Sequence, residues 1–191
     1  MRDDDLGRQL LAVARHAIAA DLRLAVSAPA IDGALERPGA TFVTLFCGGD
    51  LRGCIGSLKA TRAVGVDVRE NALAAAFRDP RFPPLTVSEF EATSVEISLL
   101  SSPESVCFDT EEKLVVRLRP GIDGVTLELG DRRATFLPQV WDSLPDPRAF
   151  LAALKDKARL PVDYWSPRLN VALYEVTKWK ESEFSRASMP S

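Results

Sequence analysis

One short segment of this chain carries residue types that could do chemistry: Leu51-Arg52-Gly53-Cys54-Ile55-Gly56. A cysteine thiolate is a nucleophile and a redox group, and a nearby guanidinium lowers the thiol pKa from its free value of ~8.5. Glycine weakens a strand interior and often marks a bulge or a close approach by another chain or a ligand. Gly53 and Gly56 flank Cys54-Ile55, so the sulfur lacks bulky neighbours on either side. In a regular strand, Arg52 and Cys54 share a face, because side chains alternate with period two. Two readings follow. Cys54 is an activated nucleophile or redox thiol with Arg52 as its anion-binding partner. Alternatively, Cys54 packs as a small hydrophobe and the glycines serve a bulge or close helix packing. The spacing favours the second, because no general base is visible nearby.

A second candidate is Arg78-Asp79-Pro80-Arg81-Phe82-Pro83-Pro84. Prolines stiffen this connection, and arginines held in fixed positions suit carboxylate or phosphate recognition. Arg78 and Arg81 are therefore candidate binding residues for a small anionic ligand. The competing reading is a helix stop in which Phe82 plugs the core and Asp79 pairs locally. His16 is the single histidine, so any Cys-His or Ser-His pair would have to use it. It falls within a helical pattern, where a partly exposed structural role suits it better than catalysis. The cysteines are three, Cys47, Cys54 and Cys107, with no Cys-x-x-Cys pair. That pattern gives neither a disulfide framework nor a structural zinc site. No metal and no cofactor are predicted.

The elements that must position these residues follow from periodicity. Leu6 to Val26 reads as an amphipathic helix, with the acidic run Asp3 to Asp5 at its positive end. Thr41 to Cys47 and Leu51 to Leu58, joined by Gly48-Gly49-Asp50, read as a hairpin. Val66 to Phe77 is an alanine-rich helix, stopped by the prolines that follow. Thr93 to Leu100 is a strand. Thr110 caps a short helix through Leu118. Val125 to Leu129 and Arg132 to Phe136 form a second hairpin. Asp146-Pro147 opens a helix to about Ala158, and Val171 to Lys180 is a final strand. Trp141 reads as a large buried anchor.

Each half thus runs helix, hairpin, helix, strand. A structural duplication is expected: one α+β domain, residues 6–180, with lobes of about 6–100 and 109–180. Their half-sheets would join into one mixed, barrel-like sheet with outer helices. Residues 1–5 and 181–191 are expected to be flexible termini. The chain has 191 residues, 46% apolar and 27% charged, enough for a real core without staples. Its net charge of -3 argues against nucleic-acid binding. No secretory leader pattern and no run of ~20 apolar residues is present, which predicts a cytoplasmic protein without a membrane partner.

Five blocks in order carry a family resemblance: the Leu51–Gly56 hexapeptide, Ala75–Leu85, Ile97–Ser101, Arg119–Val125 and Arg133–Trp141. Together they resemble the AMMECR family over roughly Leu6 to Lys180, in its bacterial and archaeal form. The resemblance implies a two-lobed α+β fold with a barrel-like sheet. It implies association with a Memo-like protein and a radical S-adenosylmethionine protein. It also implies that the hexapeptide, hence Arg52, Gly53, Cys54 and Gly56, is an active or binding site. The family has no settled activity. The radical chemistry itself is not expected in this chain, because the cysteine-rich cluster motif is missing. One departure is Arg159, where relatives commonly have glycine. A non-catalytic binding or adaptor role is expected, with a Cys54 enzyme as the alternative.

Overall fold

The computed structural model describes residues 3–30, 33–166 and 168–185. The chain forms two compact units, one of residues 1–100 with 177–191 and one of residues 101–176.

In the first unit, helix α1 (Asp3–Asp21) leads into strands β1 (Pro38–Cys47), β2 (Asp50–Gly56) and the two-residue β3 (Arg62–Ala63). Helices α2 (Val64–Phe77) and α3 (Val87–Ala92) and strand β4 (Thr93–Leu100) follow. Much later in the chain, β9 (Val176–Lys180) and the short helix α6 (Glu181–Ser185) complete the unit. The sheet order is β2-β1-β4-β9, with β3 also on β1. The β1–β2 and β1–β4 pairs are antiparallel.

Helix α1 is shorter at its end than its apolar pattern predicts, because Arg23 takes a left-handed φ of 60°. The acidic run expected to be flexible begins the helix at Asp3. Glu181, expected in the opposite terminus, opens α6 and accepts the Val95 backbone N–H at 2.8 Å. Met1, Arg2 and residues 186–191 lie outside the described residues.

One face of this sheet carries the core. Val43 and Leu45 of β1 and Val95 and Ile97 of β4 pack with Leu10, Ala14 and Ile18 of α1 and Val68, Ala72 and Ala75 of α2. Removing such side chains from water drives the assembly at ~25 cal/mol per Å². The alanines of α2 let it lie close, and at one point backbone meets backbone. A Cβ on Gly53 of β2 would stand 2.2 Å from the Ala75 carbonyl oxygen. A buried carboxylate also fixes α2. Asp67 accepts from the Thr41 N–H at 2.8 Å and hydroxyl at 2.7 Å, Ser57 Oγ at 2.7 Å, Arg62 Nε at 2.8 Å and Asn71 Nδ2 at 2.9 Å. Five donors on one carboxylate satisfy a charge that would otherwise be costly to bury.

The second unit contains β5 (Glu104–Val106), α4 (Glu111–Arg117), β6 (Gly124–Leu129), β7 (Arg132–Phe136), α5 (Pro147–Lys157) and β8 (Asn170–Tyr174). Its sheet order is β5-β8-β6-β7, with every pair antiparallel. Thr110 caps α4 and Asp146 caps α5, as their sequence signals predict. Trp141 stacks on Phe150 at 3.7 Å between centroids, and its indole N–H donates to the Asp123 carbonyl at 2.7 Å.

The two units share a plan. In each, the first strand of a hairpin is central and its other neighbour is the strand that follows the next helices: β2-β1-β4 and β7-β6-β8. The expectation of a single joined, barrel-like sheet is corrected, since the strands form two separate open sheets. The stretch Val171 to Lys180 is two strands in different sheets. Between them Glu175 exchanges backbone bonds with Ser101 instead of a neighbouring strand: its N–H donates to Ser101 Oγ and its carbonyl accepts the Ser101 N–H, both at 2.9 Å. Among the described residues, no helix is long and apolar enough to cross a membrane.

Two substitutions test this packing. Gly53→Ala should destabilise the chain by about 1–3 kcal/mol, as overpacking does, read by urea denaturation. Arg159 holds a φ of 58° just beyond α5, where the Leu160 N–H bonds back to the Lys155 carbonyl at 2.9 Å. Arg159→Gly should therefore stabilise by about 0.5–1 kcal/mol, because the left-handed conformation costs a side-chain-bearing residue ~1–2 kcal/mol and glycine's extra unfolded-state freedom offsets part of that.

Candidate functional site

The hexapeptide lies on β2, the outermost strand of its sheet. Its register departs from a regular strand. Gly53 pairs with Leu45 and Leu51 pairs with Phe46, so Arg52 is an extra residue with no partner on β1. This is a β-bulge, and bulges re-aim the side chain they carry. The regular-strand expectation that Arg52 and Cys54 share a face therefore does not apply.

The re-aimed Arg52 is 7% exposed; its Nε and Nη2 are bonded, and its buried Nη1 has no hydrogen-bond partner. Its Nε donates to Glu89 Oε1 at 2.9 Å, and its Nη2 donates to Glu89 Oε2 at 3.3 Å and to the Pro83 carbonyl at 2.9 Å. The guanidinium carbon sits 5.7 Å from the Phe82 ring centre. Glu89 is held in place by α3, where Thr86 and Glu89 form a reciprocal capping box. The Arg52 guanidinium, aided by the Thr86 N–H and hydroxyl, pulls the Glu89 carboxyl down to about 2.

Cys54 is held by a different pair. Its backbone N–H donates to Asp79 Oδ2 at 2.9 Å, and its carbonyl accepts from Arg81 Nη2 at 3.2 Å. Arg81 also donates to Asp79, from Nε to Oδ1 at 2.9 Å and from Nη2 to Oδ2 at 2.7 Å. Asp79 and Arg81 thus offer the edge strand an acceptor and a donor, as a further strand would. This occupies the outward backbone groups of Cys54 on an edge that otherwise invites foreign pairing. The Arg81 guanidinium, joined by the Cys54 N–H, holds the Asp79 carboxyl well below the usual carboxylate range.

The Cys54 side chain lies on the sheet face away from α1 and α2. It pairs with Thr44, whose hydroxyl approaches Sγ at 3.4 Å, whereas Val43 and Leu45 point into the helices. Cys54 is half-buried and its thiol is free, as are those of Cys47 and Cys107. Gly56 serves packing: a Cβ there would stand 2.2 Å from the Phe42 ring opposite. An aromatic ring over an edge glycine is a recurrent way to cover bare backbone. His16 belongs to α1, on the helix side of the sheet, so the single histidine is not a base for Cys54.

The structure brings Arg52, Gly53, Cys54, Gly56 and Arg81 together and leaves out Arg78. Arg78 is exposed and turns back to the Glu70 carbonyl at 3.4 Å. Glu89 is the participant that sequence reasoning missed. Its signal was present as Thr86-Val87-Ser88-Glu89, the T-x-x-E pattern of a helix start. Among the described residues, no group of three or more His, Cys, Asp and Glu side chains is placed to hold a metal.

Asp79→Asn puts an amide donor against a donor at either Cys54 or Arg81, and should destabilise by about 2 kcal/mol at neutral pH. A carboxyl whose folded pKa is lowered stabilises fully above its unfolded pKa of ~3.9 and loses that contribution as pH falls through the folded value. The gap between Asp79→Asn and wild type, read by urea midpoints, should be complete at pH 6 and narrow below pH ~4.

The family model for AMMECR1 matches residues 11–179. A protein of the archaeon Methanothermobacter thermautotrophicus is 35% identical over 189 residues, covering 93% of this chain and 95% of its own. Protein MJ0810 of Methanocaldococcus jannaschii is 37% identical over 121 residues, covering 61% of this chain and 58% of its own. The crystal structure of the uncharacterised protein PH0010 from Pyrococcus horikoshii superposes with a TM-score of 0.77 at 30% identity, covering 93% of this chain and 92% of that one. With a shared fold, and a family model that spans both units and the hexapeptide, the chain belongs to the AMMECR1 family.

Proposed function

We propose that this chain is a non-catalytic binding component that works beside a Memo-like protein and a radical S-adenosylmethionine protein, as the form called AmmeMemoRadiSam system protein A. One observation carries this reading: the charged side chains around Cys54 bond to one another and to the backbone of the hairpin and the Pro83 turn, with the buried Arg52 Nη1 left unbonded. Arg52 is bonded to Glu89 and Pro83, and Asp79 is bonded to Arg81 and the Cys54 backbone. A nucleophilic cysteine needs a base or a free cation beside its sulfur, and this one has a hydroxyl, from Thr44. What the hairpin offers instead is a stiff surface. Phe42, Thr44 and Cys54 are half-buried on it, and Arg81 keeps 52% of its side chain in solvent. A preformed, partly apolar patch with a cation at its rim suits recognition of a partner carrying an acidic group.

The second reading, a small enzyme using Cys54, is favoured by one specific contact. Arg81 reaches the Cys54 carbonyl, which brings a guanidinium close to the thiol. The rate of Cys54 alkylation against pH, resolved from Cys47 and Cys107, separates the two. The binding role predicts a labelling rate that Arg81→Ala leaves unchanged. It also predicts that Cys54→Ala retains co-purification with the Memo-like and radical enzymes of the same cell. Fast labelling with a midpoint well below ~8.5, lost in Arg81→Ala, would instead make Cys54 a nucleophile.

A further inference from the structure

Helices α1 and α2 do not fill the space between them along their whole length. A cavity of about 530 Å³ opens there, on the opposite side of the sheet from Cys54. Its α1 wall is Val13, His16, Ala17, Ala20 and Asp21, the i, i+3, i+4, i+7 and i+8 positions of one helix face. Leu73 and Arg69 of α2 and the Ala28-Pro29 segment form the rest. The hollow has a sequence cause. Ala17 and Ala20 put only methyl groups on this face of α1, which leaves the space beside them unfilled. Its size falls in the range of small-molecule sites, ~300–1,000 Å³.

One polar side chain stands out in this wall. The Nδ1 atom of His16 is buried and has no hydrogen-bond partner. A sealed nitrogen without an acceptor is better left as a bare lone pair than as an unpaired N–H. The imidazole proton then sits on Nε2, which makes Nε2–H the donor His16 has to offer. At the rim the charges balance in kind. Asp21 is anionic and Arg69 cationic, and Arg69 is already bonded to Glu70 at 2.6 Å. A net charge on an occupant gains little from this rim.

We propose that this cavity is a binding site for a small, uncharged, mainly apolar molecule that presents one acceptor oxygen to His16. The apolar walls take the body of the molecule, and the Nε2–H bond sets its orientation. The site is independent of the hexapeptide and of the role assigned to it.

The neutral naphthyl ketone prodan is a suitable probe, since it is apolar, carries one carbonyl, and its emission shifts to the blue in apolar surroundings. Because the chain has one histidine, ¹⁵N-histidine labelling reports on His16 alone. Saturable blue-shifted emission, with the Nε2 resonance moving along the same titration curve, is expected. His16→Phe keeps a ring in the wall but removes the donor, and should weaken binding about five-fold, the order of one net hydrogen bond. Ala20 is exposed at the cavity mouth, so Ala20→Trp should block binding while leaving the thermal midpoint close to wild type. Blue-shifted binding that leaves the Nε2 resonance unmoved would overturn the proposal. So would equal affinity in the folded Ala20→Trp variant, or no saturable binding to wild type.

Discussion

Strand β2 can lie against α2 because residue 53 has no side chain. The Ala75 carbonyl occupies the space where a Cβ would be, and much of the first unit depends on that approach. With the strand pressed onto the helix, the helix C-terminus delivers Asp79 to the Cys54 N–H within hydrogen-bond distance. The turn after the helix then delivers Arg81 to the carbonyl of the same residue. The Asp67 carboxylate holds the other end of α2, bonding to Thr41 on β1 and to Ser57 just beyond β2. One helix is thereby fixed to one hairpin at both ends by buried charge and in the middle by contact. Removing one member of such an arrangement costs more than its pairwise bonds suggest, because the others are left buried without partners.

This explains why the hexapeptide reads like an active site and is built like a joint. A glycine-flanked cysteine with an arginine two residues away is what an activated thiol would look like in sequence. In space the arginine sits at a bulge and turns to Glu89, 37 residues further along the chain. The second glycine lies under Phe42. Both glycines and two of the three Arg52 guanidinium nitrogens have structural partners, and the Thr44 hydroxyl stands at the sulfur. The half-buried surface around it remains, and a surface held this firmly costs little entropy to present to a partner.

Local signals made much of the fold legible. Both hairpins, the caps at Thr110 and Asp146, and the shared plan of the two halves follow from periodicity and turn chemistry. The limits were non-local. Nothing near Arg52 in sequence announces that it is the extra residue of a bulge, because register is set by the partner strand. Val171 to Lys180 carries one continuous strand-like pattern, yet Glu175 pairs with Ser101 and divides it. Helix α1 stops at Asp21 through a left-handed residue, Arg23, which has no glycine to mark it. The Thr86-x-x-Glu89 start of α3 was readable but lay beneath a run of prolines that dominates the segment.

The sheet of the first unit also separates two different environments. On one face the apolar residues of β1 and β4 are covered by α1 and α2, and the incomplete contact of those helices leaves a largely apolar hollow in whose lining His16 stands with the charged pair Asp21 and Arg69. On the other face Thr44 and Cys54 lie half-open beside a guanidinium. Both environments touch α2, one through Leu73 and the other through the Asp79 that follows its end. Occupancy of the hollow and docking on the hairpin can influence each other only if that helix has two arrangements. The Gly53–Ala75 contact and the Asp67 bonds hold it in one, so the two faces are expected to act independently.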